Sequence, residues 1–484
     1  MTLVLLALIG GTPLLAILLM LAQGGPRFAA ATNVTASLVV FASSVLLVAA
    51  CARAPAVLLG GAVLADPLGA WVILCTAAVY LLASLYAAGG VHGADRPARL
   101  VRFHVLFAGF AFATLVAPMM NNAGLYWIAV ELTTLVSAFL VAFERTPEAT
   151  EAAWKYMVVV SAGISLALLG TVLLYWAGSF VLGPSYDMTW EALRGAAGRM
   201  NPGLVLFAFL LLLAGYGTKV GLAPMHTWLP DAHSEAPAAV SALLSGALLN
   251  TAMLGVVRGL SVAEAAGRGE GARAALLGLG ALSLLVAALF IVRQRGIKRL
   301  MAYSSVEHMG IIALGFGFGG PLGVAGALYH MLNHALNKTL MFCGAGSMRE
   351  CFDSRDIGAI REVGRRFPVF GALWLAGAVA ITGAPPFGLF ASELTILRAA
   401  FAGPLAWLGA VAALLLIVIF AGFLNHFRIM YFTPAAAAPA RAPAVLSVLP
   451  MALALAPLLL FGLWWPGALW HYFAVVARSL GAAP

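Results

Sequence analysis

Residues 217–250 read GTKVGLAPMHTWLPDAHSEAPAAVSALLSGALLN. An apolar run reaches Lys219 and then meets Pro224 and Pro230, residues that lack an N–H and push the preceding residue out of helical conformation. The stretch therefore predicts a helix that breaks just beyond a lysine. Its surroundings make the lysine informative: 63% of the 484 residues are hydrophobic and 9% are charged, whereas soluble domains carry about 25% charged residues. A water-soluble fold could not hide that much apolar surface. Apolar runs of roughly 20 residues, long enough to cross a hydrocarbon layer of about 30 Å, recur from end to end. The expectation is an all-α integral membrane protein with about fourteen transmembrane helices.

A second interruption stands in TGAPPFGLF, at Pro385 and Pro386. By hydropathy the first break lies in the seventh span and this one in the twelfth, about five spans apart, so the segments around them run in opposite senses. Paired broken helices point to an inverted-repeat transporter, with polar cavities beside the breaks, near Lys219 and Glu393. The corresponding division is 1–100 for helices one to three, 101–260 for a first repeat of helices four to eight, 272–432 for a second repeat of helices nine to thirteen, and 433–484 for the fourteenth helix and tail.

The formal charge of +9 does not gather into a basic domain that could hold a nucleic acid. Instead the arginines and lysines favour alternate loops, notably 293–299 and 349–366, by about two to one. That bias puts those loops inside and both termini outside. Cys51, Cys75, Cys343 and Cys351 show no CxxC spacing and read as packing residues. The first apolar segment lacks a basic leader and reads as a retained span.

Charged side chains at membrane depth are costly and normally face a bundle interior or an aqueous path. Glu131 falls roughly 13 Å into the fifth span at 1.5 Å per residue, close to the bilayer middle. Lys219 precedes the first break, Lys338 lies in the eleventh span, and Glu393 follows the second break. Ion pairs that only fix packing are the plain alternative for all four. Lys155, at the inner end of the sixth span, can equally well snorkel to the membrane edge.

In YHMLNHALNKTLMFCGAG, His330, His334 and Lys338 recur every four residues and so share one helix face. Two histidines one turn apart could share zinc, but no acidic third ligand or intervening Glu completes a HExxH pattern. A b-type haem would need an axial ligand from another helix, for which His308 is available. A lysine continuing the face suits a proton relay better, because imidazole accepts a proton on one nitrogen and releases one from the other. Glu307 and His426 add further titratable groups, and His226 and His308 rank above His233, His92 and His471 as participants. No GxxxxGK[ST] or GxGxxG stands in a strand–loop–helix context, so any redox chemistry coupled to the chain occurs elsewhere.

These residues resemble the antiporter-like subunits of complex I and of the related membrane-bound hydrogenases. TKVGLAPMHTWLPDAHSEAPAAVSALLSGALLN matches the family's seventh and eighth helices, while AYSSVEHMGIIALGFGFG, HMLNHALNKTLMFCGAG and TGAPPFGLFASELTILRAAF look most like the hydrogenase-4 component F branch. The resemblance implies fourteen helices in two inverted five-helix repeats, no bound redox cofactor or metal, and proton movement driven by a partner module in a prokaryotic cytoplasmic membrane. It places the family's proton-transfer residues on Glu131, Lys219, His330, His334, Lys338 and Glu393, with His226 and His308 added from their positions. Asn250 is a departure, since several relatives carry a titratable residue there. Asn can hydrogen-bond water but cannot carry a proton, so the link between the half-channels would rely on ordered water.

Three functions compete on these grounds: a proton-translocating subunit of a hydrogenase-4-like or complex-I-like assembly with a peripheral hydrogenase-like or dehydrogenase arm, a subunit of a multi-subunit Na⁺/H⁺ antiporter, and a scaffold that no longer pumps. Retention of Glu131, Lys219, Lys338 and Glu393 disfavours the scaffold. The topology itself is testable. Cysteines engineered into 293–299 should resist an impermeant thiol reagent in intact cells and react in inverted vesicles; ready labelling of intact cells would reverse the orientation.

Overall fold

The computed structural model describes residues 1–91, 96–434 and 441–481; His92 lies outside them. The first half consists of α1 (Thr2–Gln23), α2 (Pro26–Cys51), α3 (Pro67–Ala88), α4 (Pro97–Val116), α5 (Ala123–Val141), α6 (Pro147–Leu182), the short α7 (Trp190–Ala196), α8 (Pro202–Val220), α9 (Trp228–Glu235), α10 (Ala238–Leu243) and α11 (Leu249–Ala265). The chain continues through α12 (Gly269–Val292), α13 (Ile297–Phe318), α14 (Gly320–Phe352), the single turn α15 (Val363–Arg366), α16 (Pro368–Ile381), α17 (Gly388–Phe401), α18 (Ala406–Phe432), α19 (Val445–Leu463) and α20 (Gly467–Ser479). Among the described residues, eleven helices are long and apolar enough to cross a membrane.

Several boundaries follow from local chemistry. Proline occupies the first turn of α3, α6 and α8, where its missing N–H costs nothing. Asp66, Thr146 and Asn201 cap the same three helices by accepting backbone N–H bonds, and Asn122 caps α5 through Gly124 and Leu125. Two features have no counterpart in the sequence pattern. A small antiparallel hairpin pairs Ala56–Leu58 with Val63–Ala65, and α20 follows the last long helix.

Polarity sorts the helices radially. The α10–α11 segment, Ala238–Ala265, has its most apolar window wholly buried, and α13 and α14, which carry His308, His330 and His334, are enclosed for nearly their whole length. By contrast α1, α12 and α18 are apolar all round and expose leucines at the perimeter, where lipid supplies the matching solvent. Trp71 of α3 donates to the Leu328 carbonyl of α14 at 2.8 Å, tying the N-terminal helices to the centre. All four cysteines are free and buried.

The α6–α8 contact is built on small residues, which let backbones approach closely where lipid-soluble helices gain little from apolar burial. A Cβ on Gly215 of α8 would stand 2.6 Å from Ala167 Cβ and 2.7 Å from the Gly163 carbonyl of α6. Overpacking of this kind costs about 1–3 kcal/mol. Gly215→Leu should therefore lower the thermal unfolding midpoint of the detergent-solubilised protein, while Leu210→Phe, on the exposed side of the same helix, should leave it unchanged.

Candidate functional site

The Asn122 cap fixes where α5 begins, and Glu131 follows nine residues on, about 13 Å along the helix. Its carboxylate accepts from Ser161 Oγ at 2.9 Å and Thr134 Oγ1 at 3.0 Å. Lys219, fully buried, donates through Nζ to the Val130 carbonyl at 3.1 Å and to Thr134 Oγ1. The Thr134 hydroxyl thus accepts from the ammonium and donates to the carboxylate, standing between two charges that make no direct ion pair.

The break beside Lys219 is locally well satisfied. Gly221 takes the left-handed conformation (φ 80°) that ends α8, Trp228 Nε1 donates to the Thr218 carbonyl at 2.8 Å, and Ser283 Oγ of α12 accepts the Ala223 N–H at 2.9 Å. Backbone freed inside a membrane needs such partners.

A second cluster repeats the lysine arrangement. Lys338 of α14 donates to the Met301 carbonyl of α13 at 3.2 Å and to Ser304 Oγ. Each buried lysine is therefore held by one carbonyl and one nearby hydroxyl of a neighbouring helix. The carboxylate that acts electrostatically on Lys338 is Glu307, while a Glu393 oxygen lies within 4.8 Å of ring nitrogens of His308 and His330.

Those histidines do not form the single file that their spacing on α14 suggests. His308 of α13 inserts between them, with ring centroids 5.1 Å from His330 and 5.4 Å from His334. The hydrogen bonds assign the tautomers. Ser392 donates its proton to the Leu389 carbonyl, so its oxygen accepts from His330 Nδ1 at 2.9 Å; His330 Nε2 then accepts from His308 Nδ1, also at 2.9 Å. The direct bond between the rings leaves no slot for a haem between His308 and His330. Glu393 lies beyond, its carboxylate against Gly383 in the second break.

Asn250 joins the halves. Its Nδ2 donates to the Gly246 carbonyl at 3.0 Å and to the Met331 carbonyl of α14 at 3.2 Å, while Oδ1 has no partner among the described residues. Just before it, Leu244–Leu248 forms a π-turn, a feature frequent at functional sites, and Ser245 meets Ser305 of α13 at 2.7 Å.

The structure promotes two residues that sequence reasoning undervalues. His233, which reads as a solvated loop histidine, is fully buried and stacked 5.1 Å from Phe342, with both nitrogens unpartnered among the described residues. Lys298, which reads as one more positive charge in the inner loop, is buried and donates to the Ser234 carbonyl at 3.1 Å and to the Ala236 carbonyl. Around it the Glu144–Arg349 and Glu235–Arg355 pairs close at 2.7 and 2.5 Å. The one signal for Lys298 was its place at the start of an apolar helix, after Ile297. His226, in contrast, stands apart from the clusters, its ring centroid 6.2 Å from Tyr303. Lys155 is half-exposed and pairs with Glu151 at 2.6 Å, His426 Nε2 donates to the Ile291 carbonyl at 2.7 Å as a packing contact, and His471 is exposed.

Chemically, the arrangement offers buried carriers of alternating kind, carboxylate, hydroxyl, ammonium and imidazole, without a nucleophile–base pair. Its second break depends on Gly383, whose φ of 64° suits glycine and whose missing Cβ leaves room for Glu393. Gly383→Val should displace that carboxylate and lower the unfolding midpoint by more than the equivalent of about 1 kcal/mol, whereas Gly278→Val, where a side chain meets open space, should not.

Residues 121–420, more than half of the chain, match the family described as NADH:quinone oxidoreductase/Mrp antiporter, TM. The chain is 40% identical over 307 residues to the hydrogenase-4 component F homolog of Methylacidiphilum infernorum, a match covering 63% of this chain and 64% of that one, short of two thirds of the relative's length. It is 31% identical over 382 residues to NADH-quinone oxidoreductase subunit N of Halorhodospira halophila, covering 77% and 75% respectively. Its fold superposes on a chain of the Mrp complex from Dietzia sp. with a TM-score of 0.88 at 19% identity, covering 99% of this chain and 97% of that one.

Proposed function

The chain belongs to the NADH:quinone oxidoreductase/Mrp antiporter transmembrane family, and on that premise we propose that it is a proton-translocating membrane subunit of a hydrogenase-4-like, redox-driven assembly. The observation that carries this reading is the pair of fully buried lysines, Lys219 and Lys338, each joined through a hydroxyl or electrostatically to a carboxylate. The 40% identity with a hydrogenase-4 component F homolog favours that kind of assembly over a free-standing exchanger, and its redox arm would be supplied by partner subunits.

The proposed route has two arms. In the first, Glu131, Thr134 and Lys219 exchange protons. In the second, Lys338, His334, His308 and His330 pass them to Glu393 for release, with Lys298 and His233 as the inner approach. Asn250 holds the junction, where water bonded to its free Oδ1 would carry the proton. His226 lines the first break and would take part only through water.

Lys219 serves as a switchable carrier. Burial disfavours an ammonium and a nearby carboxylate favours it, so a change in separation or hydration changes proton affinity. One tenfold change corresponds to about 1.4 kcal/mol, which small movements in a low-dielectric site can supply. The break after Gly221 gives α8 a place to move.

The finer architecture belongs to the same proposal. The eleven apolar spans together with α13, α14 and the α16–α17 pair make fourteen crossings, and 101–260 and 272–432 form inverted repeats in a prokaryotic cytoplasmic membrane with both termini outside. The two breaks, after α8 and between α16 and α17, fall in the fourth helix of each half, which supports the repeat.

Proton uptake by vesicles containing the whole assembly, driven by its redox reaction, provides the test. Lys219→Met and Lys219→Arg should both fall below about a tenth of the parental rate, because guanidinium keeps its charge and cannot release a proton. Thr134→Val should be slowed too, by loss of the bridging hydroxyl, and Glu393→Gln should impair release without impairing assembly. Near-normal pumping by the Arg variant would reduce Lys219 to an ion-pair role, and a strict requirement for Na⁺ would favour the exchanger.

A further inference from the structure

His308, His330 and Glu393 come from three different helices, α13, α14 and α17, yet one ligand atom from each lies within 4.8 Å of the other two. All three side chains are buried. The sequence offered no acidic ligand between His330 and His334, and the fold brings one to His330 from some sixty residues away along the chain. We infer that this triad is a reversible binding site for a late first-row divalent cation such as Zn²⁺.

The donor set decides the class of ion. Two imidazole nitrogens and one carboxylate oxygen suit Zn²⁺, Co²⁺ or Ni²⁺, whereas Na⁺, Mg²⁺ and Ca²⁺ prefer sites made wholly of oxygen. Zinc bonds of about 2.1 Å to nitrogen or oxygen in a tetrahedron separate ligand atoms by roughly 3.4 Å, so atoms already within 4.8 Å need only side-chain torsions to close on an ion. His330 is prepared for the task. Ser392 accepts its Nδ1 proton at 2.9 Å, which fixes the Nε2 lone pair toward His308, the outer contact that metal-binding histidines usually possess. Binding replaces the hydrogen bond between the rings, and the His308 Nδ1 proton passes to Nε2, which has no partner among the described residues.

Charge is also accounted for. Glu307 lies within electrostatic range of Glu393, so a second carboxylate offsets a dication that would otherwise face Lys338. A small apolar pocket lined by Leu314, Phe318 and Ile396 reaches Glu393. An ion lodged here would occupy both histidine lone pairs and the release carboxylate, and so plug the second arm; this consequence, unlike the site itself, rests on the proton-transfer reading.

Titration of the full chain, purified within its assembly in detergent, with Co²⁺ tests the site through the visible absorption bands of the bound ion, with Zn²⁺ as the competing ion. One saturable equivalent is expected, weakened about tenfold or more by Ser392→Ala, which keeps all three ligands and removes the outer contact, and weakened further by Glu393→Gln. His471→Asn, at an exposed histidine, should leave the titration unchanged. Bands that survive unaltered in Glu393→Gln, or that vanish in His471→Asn, overturn the site. Zn²⁺ is then added to the pumping vesicles: binding without inhibition leaves the site standing and overturns the proton-transfer reading of the triad.

Discussion

An ammonium group removed from water must place its hydrogens on something, and in an apolar slab the available acceptors are few. Lys219 and Lys338 solve this in the same way, each using one main-chain carbonyl and one hydroxyl on an adjacent helix. Much of the structure follows from that requirement. A carbonyl can accept from a lysine only where the long side chain reaches it, as Lys219 of α8 reaches Val130 of α5 and Lys338 of α14 reaches Met301 of α13. Close approach in turn calls for small residues at a crossing, such as Gly315 of α13 against Ala327 of α14.

The radial sorting of the bundle has the same origin. Side chains that cannot tolerate lipid are concentrated on the enclosed α11, α13 and α14, while α5 and α8 turn Glu131 and Lys219 inward and expose apolar residues such as Ile128 and Phe207 at the boundary. Breaks in two helices are compatible with this enclosure because their loose ends find partners: Trp228 and Ser283 serve the first, and backbone bonds around Gly383 serve the second. Polar side chains scattered along the chain are thus brought together inside, as Lys219 with Thr134 and His308 with His330.

That scattering marks what can be read from the sequence. The helical, membrane-spanning character is plain from composition, and the positions of the breaks follow from Pro224 and from Pro385–Pro386. Glu131 and Lys219 stand out as charges in apolar runs. What stays hidden are associations between helices. Thr134 looks like any helical threonine until Lys219 is placed over it, and the spacing of His330, His334 and Lys338 cannot show that His308 enters the same row from α13. Glu307, adjacent in sequence to His308, is electrostatically tied to Lys338 across two helices, which its place in the sequence does not show. Lys298 misleads for a similar reason. A lysine beside arginines looks solvated, and only the fold shows its side chain turned inward toward Ser234 and Ala236.

The π-turn at Leu244–Leu248 governs the aim of everything that follows it on the same helix. An α-helix advances about 100° per residue, so one residue more or fewer in that turn would swing the downstream side chains by roughly a quarter of a revolution while scarcely changing the helix's length. As built, Ser245 faces α13 from one side of the turn and Asn250 faces α14 from the other. The wide turn thus works as an angular offset between the contact with α13 made within it and the contact with α14 made beyond it.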